Sequence, residues 1–584
     1  MMKRAGFYIM GTMLLLVLFA NACASNDDPA PSPVVAEKAY CTTVSNYSSP
    51  ATITGQAVYK YRLPTTTGLS AVQAGSNPIR YAEVRALNSN GDTVQCGETD
   101  ASGNFSINVP TSSSAITIVV AARAYNSHNK ASILKDPVSN DYHKITTTAT
   151  PDSSKSVGTM TASATGTLEG GAFNILDKIL TANEYIKTQT AGCSFSGSFG
   201  GQSFSCTPFT VDHKVQVYWK PGFNPATYIG GSATQTLSFY SPDEDKLFLC
   251  GGVNGNVDDK DTDHYDNSII IHEYGHFLEA HYSRSDSPGG SHSGEHAIDP
   301  RLAFSEGFAN FLQAAALNSP YYIDTIGNVD GTTSTGFALS TEYKCGVNNT
   351  GAGGANCVDT STAVGEGNFR EFGITRALWD MIDTNNDANV TDGVSGTFDE
   401  IWTAWRALGS LSVAFRNIGL LYEVQAAITS PSPTNISGVY ADENQYGDRK
   451  YYANPRNASN TSCTTTVSSS ASHNNVDDFT GNQLYSAFNY FHLAWAGGTA
   501  TFQLSYNPSP GSHDLDLFIY REDHVLFDTD YIVNLNDSPN DNGNISLSAG
   551  MPPGNYMVVV QQYSGTGSVN YTLTVGGSKI CPTF

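Results

Sequence analysis

Positively charged residues are scarce in this sequence. It has 30 Lys and Arg against 54 Asp and Glu in 584 residues, and therefore a formal net charge of −24. Such an excess of negative charge disfavours binding to nucleic-acid phosphates and to anionic membrane surfaces. We therefore expect no nucleic-acid partner, and no membrane contact through charge.

Long apolar runs are also scarce. One run, over about residues 5–20, follows two basic residues and ends in Phe-Ala-Asn-Ala-Cys at Cys23, a pattern typical of a signal peptide over residues 1–22. The small residues before Cys23 resemble a bacterial lipobox, which implies Cys23 as a lipidated first residue, while ordinary signal-peptidase cleavage is the alternative. We expect an exported protein, held at the outer membrane or cell surface by lipid, or secreted.

Cys-x-x-Cys pairs are absent among the ten cysteines, which argues against a cysteine-based zinc site. An exported chain permits disulfides, and cysteines close in sequence, or at the two ends of one domain, are the natural partners. With Cys23 set aside for lipidation, nine cysteines remain, so at least one is unpaired, and the sequence does not show which. The candidate pairs are Cys193 with Cys206, Cys345 with Cys357, and Cys463 with Cys581.

One short motif carries metal chemistry. Residues 266–279 contain H-E-x-x-H in a stretch that suits a helix. His272 and His276 lie one turn apart, so both imidazoles project from one face and can bind one metal ion. Glu273 lies about 100° round the helix, where it can reach a water on that metal without being a ligand. The chain has Tyr282 where the longer metzincin motif requires a third histidine, which excludes that class.

The next helical segment, residues 302–316, is mostly apolar but contains one acidic residue, Glu306, in its buried stretch. A carboxylate among phenylalanines is costly unless it is paired or bound to a cation. Asn310 follows one turn later on the same face, where its side chain could orient a ligand imidazole. The segment therefore predicts a third metal ligand.

These two segments resemble the gluzincin zinc metallopeptidases, the thermolysin-like group, in which a Glu on a helix downstream of H-E-x-x-H completes the zinc site. The resemblance implies an α+β catalytic domain with Zn²⁺ as cofactor and protein or peptide substrates. It implies His272, His276 and Glu306 as zinc ligands. Glu273 would be the general base.

Several polar residues are candidates for binding substrate or stabilising the oxyanion, and the sequence does not choose among them. Ordinary salt bridges or surface positions would account for them equally well. The candidates are Arg370, Glu371, His292, His296, Tyr321 and Tyr322.

Two acidic stretches raise the question of calcium. Asp383, Asn385 and Asp387 alternate as in a calcium loop, but the segment lacks the Gly and Glu that an EF-hand requires. A plain Asx-rich turn is the competing interpretation. The acidic run over residues 257–263 is predicted to be a solvated loop.

Strand patterns flank the metal motif. The composition of residues 23–50 predicts a tether. Residues 51–145 contain alternating strands and a Thr-Asp-x-x-Gly-x-Phe turn at Thr99, and they resemble the carboxypeptidase regulatory-like β-sandwich. After a Ser/Thr-rich connection, residues 166–430 would form the metallopeptidase domain, with a helix over residues 171–186.

Inside that domain, residues 214–219 and 246–250 are predicted strands. The segment 237–250 is the candidate for an edge strand that pairs with the substrate backbone. The composition of residues 431–480 predicts a linker. Residues 481–584 contain Asp-Leu-Asp-Leu-Phe-Ile-Tyr and Gly-Asn-Tyr-Met-Val-Val-Val, and they resemble the bacterial pre-peptidase C-terminal domain, a second β-sandwich.

The expected fold is thus multidomain: an α+β, gluzincin-like domain flanked by two all-β sandwiches. The expected function is that of an exported zinc metalloendopeptidase. The competing hypothesis is a surface adhesin or matrix-binding lipoprotein with a structural zinc site. An aminopeptidase is a third possibility, although the sequence has no recognisable motif for binding a substrate N-terminus.

Overall fold

The structure of the chain is a computed structural model. No described helix is both long and apolar enough to cross a bilayer. The structure describes residues 19–22, 36–253, 256–287, 289–292, 300–342, 370–383, 394, 396–411, 416–442, 465–469, 488–507, 514–521, 543–564 and 567–580.

The N-terminal part is built from strands. They are β1 Phe19–Ala22, β2 Pro50–Tyr59, β3 Pro64–Thr65, β4 Gly68–Leu69, β5 Asn77–Pro78, β6 Glu83–Leu87, β7 Thr93–Glu98, β8 Asn104–Pro110, β9 Ile116–Ala121, β10 Arg123–Tyr125, β11 Lys130–Leu134, β12 Lys144–Ala149 and β13 Lys155–Ala162. One sheet has the order β12-β9-β6-β7, and the other joins β13, β5 and β8 to β2. Buried side chains from both sheets, such as Ile53 and Ile118, share one core. This part is a β-sandwich.

The turn before β8 has the predicted form. Asp100 Oδ1 accepts hydrogen bonds from the backbone N–H groups of Ser102 and Asn104, each at 2.8 Å. Gly103 has φ +76°, and a Cβ there would lie 2.3 Å from the carbonyl oxygen of Ala57. Only glycine fits this left-handed, tightly packed position, which explains the Thr-Asp-x-x-Gly pattern.

Three segments predicted as connections have more structure than expected. The predicted linker over residues 431–480 contains a helix, Ser437–Asp442, and a strand, Thr465–Ser469, that pairs with the C-terminal sheet. Within the predicted tether, Glu37 accepts hydrogen bonds from Ser132 at 2.6 Å and from Gln216 at 2.7 Å, so its C-terminal half is fastened to the body of the protein. The Ser/Thr-rich stretch between residues 145 and 166 supplies β12 and β13. Exposed threonines alternate along β12, because Thr favours strands as strongly as it favours polar loops.

The disulfide pattern is partly as predicted. Cys193–Cys206 forms a bridge, as expected, and Cys41–Cys96 forms a second bridge that the spacing did not suggest. Cys250 is free and buried. The pairs proposed for Cys345 with Cys357 and for Cys463 with Cys581 lie outside the described residues.

The central part contains the long helices. Its elements are α1 Glu169–Thr190, β14 Ser196–Phe199, β15 Gln202–Ser205, β16 Val215–Tyr218, α2 Pro225–Tyr228, β17 Phe239–Ser241, β18 Lys246–Phe248, α3 Asn267–Tyr282, β19 Gly290–His292, α4 Pro300–Leu317, β20 Tyr321–Ile326, β21 Thr335–Ser340, α5 Glu371–Asp380, α6 Phe398–Ser410, α7 Ile418–Ala426, β22 Ile428–Ser430 and α8 Ser437–Asp442.

A five-stranded sheet with the order β10-β11-β16-β18-β17 lies beside these helices. Its three inner strands are parallel to one another, and β17 joins antiparallel to β18 as the outer strand. Two of its strands, β10 and β11, precede α1 in the chain, so the first and central parts share structure. The short β1 pairs with β19.

Helix α4 is mostly apolar and is buried along nearly its whole length, as a helix of this kind must be. The Phe308 ring stacks on Trp405 of α6, with centroids 4.3 Å apart. A Cβ at Gly307 would lie 2.7 Å from the carbonyl oxygen of Glu371, so glycine permits the close approach of α4 to α5.

The C-terminal part is again built from strands. They are β23 Thr465–Ser469, β24 Phe488–Trp495, β25 Gly498–Tyr506, β26 Asp514–Arg521, β27 Asn544–Met551, β28 Gly554–Ser564, β29 Gly567–Val575 and β30 Ser578–Ile580. One sheet contains β23-β29-β25-β27, and the other β24-β28-β26. Phe502 and Leu573 from the first sheet share a core with Leu517 and Val558 from the second. The chain is therefore a multidomain protein with β-sandwich parts.

Candidate active site

Helices α3 and α4 cross at very short distance. A Cβ at Gly275, inside the H-E-x-x-H motif, would lie 3.1 Å from Ala309 Cα and 3.2 Å from Ala309 Cβ. The small residues allow the two backbones to approach, so polar side chains on the facing surfaces meet. His272 and Glu306 are buried at this crossing, with His276 half-buried beside them.

Three lone-pair donors converge there. His272 Nε2 and His276 Nε2 lie 3.0 Å and 3.2 Å from Glu306 Oε2, and the two nitrogens are 3.2 Å apart. Ligands at about 2.1 Å around a tetrahedral zinc ion lie about 3.4 Å from one another. The donor set and its spacing therefore fit one zinc ion.

Hydrogen bonds on the far side of each ring fix which nitrogen faces the centre. His272 Nδ1 lies 2.8 Å from Asn310 Oδ1, and because an amide oxygen only accepts, Nδ1 carries the proton. Ser305 Oγ donates to Glu279 Oε2 at 2.5 Å and lies 3.2 Å from His276 Nδ1, so Nδ1 of this ring donates as well. Both Nε2 lone pairs are thereby left for a metal.

Ser305 and Glu279 were not singled out in the sequence. Their spacing in the sequence could have indicated them. Ser305 immediately precedes Glu306, and Glu279 lies three residues after His276, on a neighbouring face of α3. Asn310, which the sequence did indicate, contacts His272 as the helical spacing predicts.

Replacing Asn310 by Ala is expected to weaken zinc binding by about 10–100-fold, because the His272 ring loses the acceptor that fixes its tautomer. Asn310→Asp should restore most of the affinity, since a carboxylate oxygen also accepts from Nδ1–H. Competition with a fluorescent zinc chelator measures both. Equal affinity in all three proteins would show that Asn310 does not position His272.

The electrostatics of the crossing favour a cation. Burial by itself would raise the pKa of the Glu306 carboxyl, but the positive charge of His292 and His276 outweighs burial and holds that pKa well below its usual value. Burial likewise acts to lower the pKa of His276, yet Glu306 raises it to about 9. The field that favours a proton on His276 also favours a divalent ion between the three groups.

Glu273 lies beside this centre without joining it. It is 8% exposed, and its Oε2 accepts a hydrogen bond from the backbone N–H of Tyr240 at 2.9 Å. Burial raises the pKa of its carboxyl, against the opposing effect of the imidazoles of His272 and His276. Tyr240 belongs to β17, so this bond connects the outer strand of the sheet directly to the H-E-x-x-H helix.

The other candidate polar groups differ in whether they lie near the three converging donors. His292 Nε2 lies 3.5 Å from Glu306 Oε2 and 3.6 Å from Glu371 Oε2, so it reaches the centre. Tyr322 is buried, with its ring centroid 6.0 Å from that of His272. Arg370 is buried at the start of α5. Tyr321 is half-buried at the start of β20.

Several predicted site residues lie outside the described residues. They include the lipidation candidate, most of the candidate calcium loop and one rival oxyanion donor. These residues are Cys23, Asn385, Asp387 and His296. Asp383, which begins the candidate loop, is described, shortly after the end of α5.

Comparison with known proteins supports a protease. The family described as "Mycolysin C-terminal domain" matches residues 214–424, a segment that contains both histidines of the motif and Glu306. The match points to a peptidase, a hydrolase of protein or peptide substrates, and is consistent with an exported protein.

No curated protein matches the chain. Among solved structures, a Paenibacillus cycloisomaltooligosaccharide glucanotransferase complexed with cycloisomaltoheptaose aligns with 9% identity over 90% of this chain and 72% of its own. Its TM-score is 0.12, which is too low to relate the two folds.

Proposed function

We propose that this protein is an exported zinc-dependent endopeptidase, with an α+β catalytic part of the gluzincin type, and either anchored through Cys23 or secreted. One observation carries the proposal. Two imidazole nitrogens and one carboxylate oxygen lie within 3.2 Å of one another, with a second carboxylate, Glu273, held next to them.

His272, His276 and Glu306 would hold the zinc ion. When bound, zinc acts as a Lewis acid that lowers the pKa of a coordinated water. The backbone N–H of Tyr240 holds Glu273 through Oε2, which leaves Oε1 to take the proton of the attacking water and pass it to the leaving amine. The raised pKa of Glu273 suits a group that must both accept and return a proton.

Substrate binding would use the outer strand β17. An extended peptide that adds to this edge makes main-chain hydrogen bonds, which give affinity without strong side-chain preference. Since β17 contacts Glu273 through Tyr240, such a peptide would run past the centre. His292 and Tyr322 are the described groups best placed to donate a hydrogen bond to the oxyanion.

The competing function is an adhesin with a structural zinc site. Structural zinc sites are closed by four protein ligands, whereas here three donors converge and Glu273 adjoins them. The choice between an endopeptidase and an aminopeptidase can be tested with a peptide whose N-terminus is acetylated, because only an endopeptidase cleaves it readily.

Removing the metal should abolish proteolysis. Treatment with 1,10-phenanthroline is expected to reduce casein cleavage by more than about 100-fold, because the chain's own groups cannot activate water alone, and one equivalent of ZnCl2 should restore it. Cleavage of an acetylated peptide should follow the same pattern. Full activity in protein shown to be metal-free by atomic emission would overturn the proposal.

A further inference from the structure

Tyr240 of β17 is held at both of its ends. Its backbone N–H donates to Glu273 Oε2 at 2.9 Å, and its phenol O–H donates to Asp245 Oδ1 at 3.0 Å. Between these two bonds the residue is 7% exposed, and its ring packs edge-on against Phe277 of α3, with centroids 6.1 Å apart. Whatever fixes the phenol therefore also helps to fix the N–H that contacts Glu273.

Asp245 lies in the turn between β17 and β18. Its backbone is in the left-handed region, with φ +56°, and its N–H donates to the carbonyl oxygen of Ser241 at 2.8 Å. Residues other than glycine adopt this conformation only uncommonly, and it costs backbone energy. Glycine would fit the turn without strain, so what aspartate adds at this position is its carboxylate.

The Asp245 carboxylate reaches out of the turn to α3. Its Oδ1 accepts a hydrogen bond from His281 Nε2 at 2.7 Å, besides the one from Tyr240. The His281 ring is stacked on that of His213, with centroids 4.3 Å apart, so it is itself held in place. The turn between β17 and β18 thus binds the same helix that carries the H-E-x-x-H motif.

The antiparallel pair of β17 and β18 therefore binds α3 through hydrogen bonds at two places. Tyr240 contacts Glu273 in the first half of the helix, and Asp245 contacts His281 at its end. At 1.5 Å per residue these two places are about 12 Å apart along the helix axis. A single bond would fix the distance between β17 and the helix at one place, whereas the two together also fix the orientation of Tyr240.

We propose that Asp245 is a positioning residue for Glu273 and acts through Tyr240. The proposal rests on the proposed peptidase function and adds to it a residue on the protein surface, outside the zinc centre. With the phenol of Tyr240 held by Asp245, the backbone N–H keeps Glu273 Oε2 in place and leaves Oε1 for the attacking water. Without the Asp245 carboxylate, the outer strand can shift and the Glu273 carboxylate can rotate away from that water.

Asp245→Gly removes the carboxylate without straining the turn, whereas Asp245→Asn keeps an oxygen that accepts from both donors. In the full-length, zinc-loaded protein, we expect Asp245→Gly to lower kcat for an acetylated peptide by about 10–100-fold, because a displacement of about 1 Å can cost that much. Zinc content and KM should stay at those of wild type, and Asp245→Asn should retain wild-type kcat. Asp243→Gly, the same substitution at an exposed position of the same turn, is the matched control. A rise in KM with normal kcat would show that Asp245 only shapes the binding edge, and would overturn the proposal.

Double variants separate this role from a general structural one. In the Glu273→Gln background, Asp245→Gly should lower kcat no further, because no base remains to be positioned. Tyr240→Phe keeps the backbone N–H but removes the phenol O–H, so it should lower kcat as Asp245→Gly does, and combining the two should add nothing. Additive losses in either pair would show that Asp245 acts by another route, which contradicts the proposal.

Hydrogen exchange tests the same link without any substrate. We expect the Tyr240 amide to exchange about tenfold faster in Asp245→Gly than in wild type or Asp245→Asn, while the amides of β16 keep their wild-type rates. If wild type cleaves no peptide but this difference appears, the peptidase function fails and the link from Asp245 to Tyr240 stands. If wild type is an active peptidase and exchange at Tyr240 is the same in all three proteins, the inference is wrong.

Discussion

Glu273→Gln is expected to lower kcat for peptide hydrolysis by about 10²–10⁴-fold, the range typical of a lost general base. The amide is nearly isosteric with the carboxylate, and its oxygen can still accept the hydrogen bond from Tyr240. It cannot take a proton from water. Zinc content should stay at that of wild type, because Glu273 is not among the three converging donors.

The measurement is single-turnover cleavage of a fluorogenic peptide, with zinc determined on the same samples by atomic emission. Glu98→Gln, the same change at an exposed position of the N-terminal sandwich, is the matched control and should be fully active. Wild-type kcat in Glu273→Gln would exclude Glu273 as the base. Loss of zinc along with activity would instead make it a ligand.

The sequence predicted the centre of the site because helical periodicity is strict. His272 and His276, or Glu306 and Asn310, must share a face once their segments are helices, and an acidic residue among phenylalanines needs a cation or a polar partner to offset its burial. The periodicity of a single segment does not specify which helices pack against each other. The Ser305–Glu279 hydrogen bond forms because Gly275 lets α4 approach α3, and this helix crossing depends on the tertiary fold.

The same limit explains what the sequence did not reveal. The predicted tether is rich in Ser, Pro and Ala, yet Glu37 lies among polar partners from two distant strands, and Cys41 pairs with Cys96 across 55 residues. The acidic run before α3 is predicted to be a solvated loop because its own residues are polar. Its Asp263 is instead buried, because Ile326 of β20, much later in the chain, pairs with the same run. Local composition carries no information about such partners.

Glu306→Ala should remove zinc rather than slow the chemistry. Loss of a second-sphere partner typically lowers metal affinity by about 10–100-fold, so loss of a direct carboxylate ligand should lower it by more than about 100-fold. The reason is electrostatic as well as geometric. Without Glu306 the centre contains two imidazoles and no adjacent negative ligand, and the raised pKa of His276 should fall toward its usual range.

The variant should nevertheless fold. Alanine suits a buried helix, and removing the carboxylate leaves no uncompensated buried charge once both imidazoles are neutral. His281→Ala, on the same helix but paired with Asp245, is the control and should bind zinc like wild type. Calorimetric zinc titration, with circular dichroism to confirm the fold, distinguishes the outcomes. If folded Glu306→Ala still binds one zinc with wild-type affinity, then α4 supplies no ligand, and the centre cannot be the three-donor site on which the proposed mechanism rests.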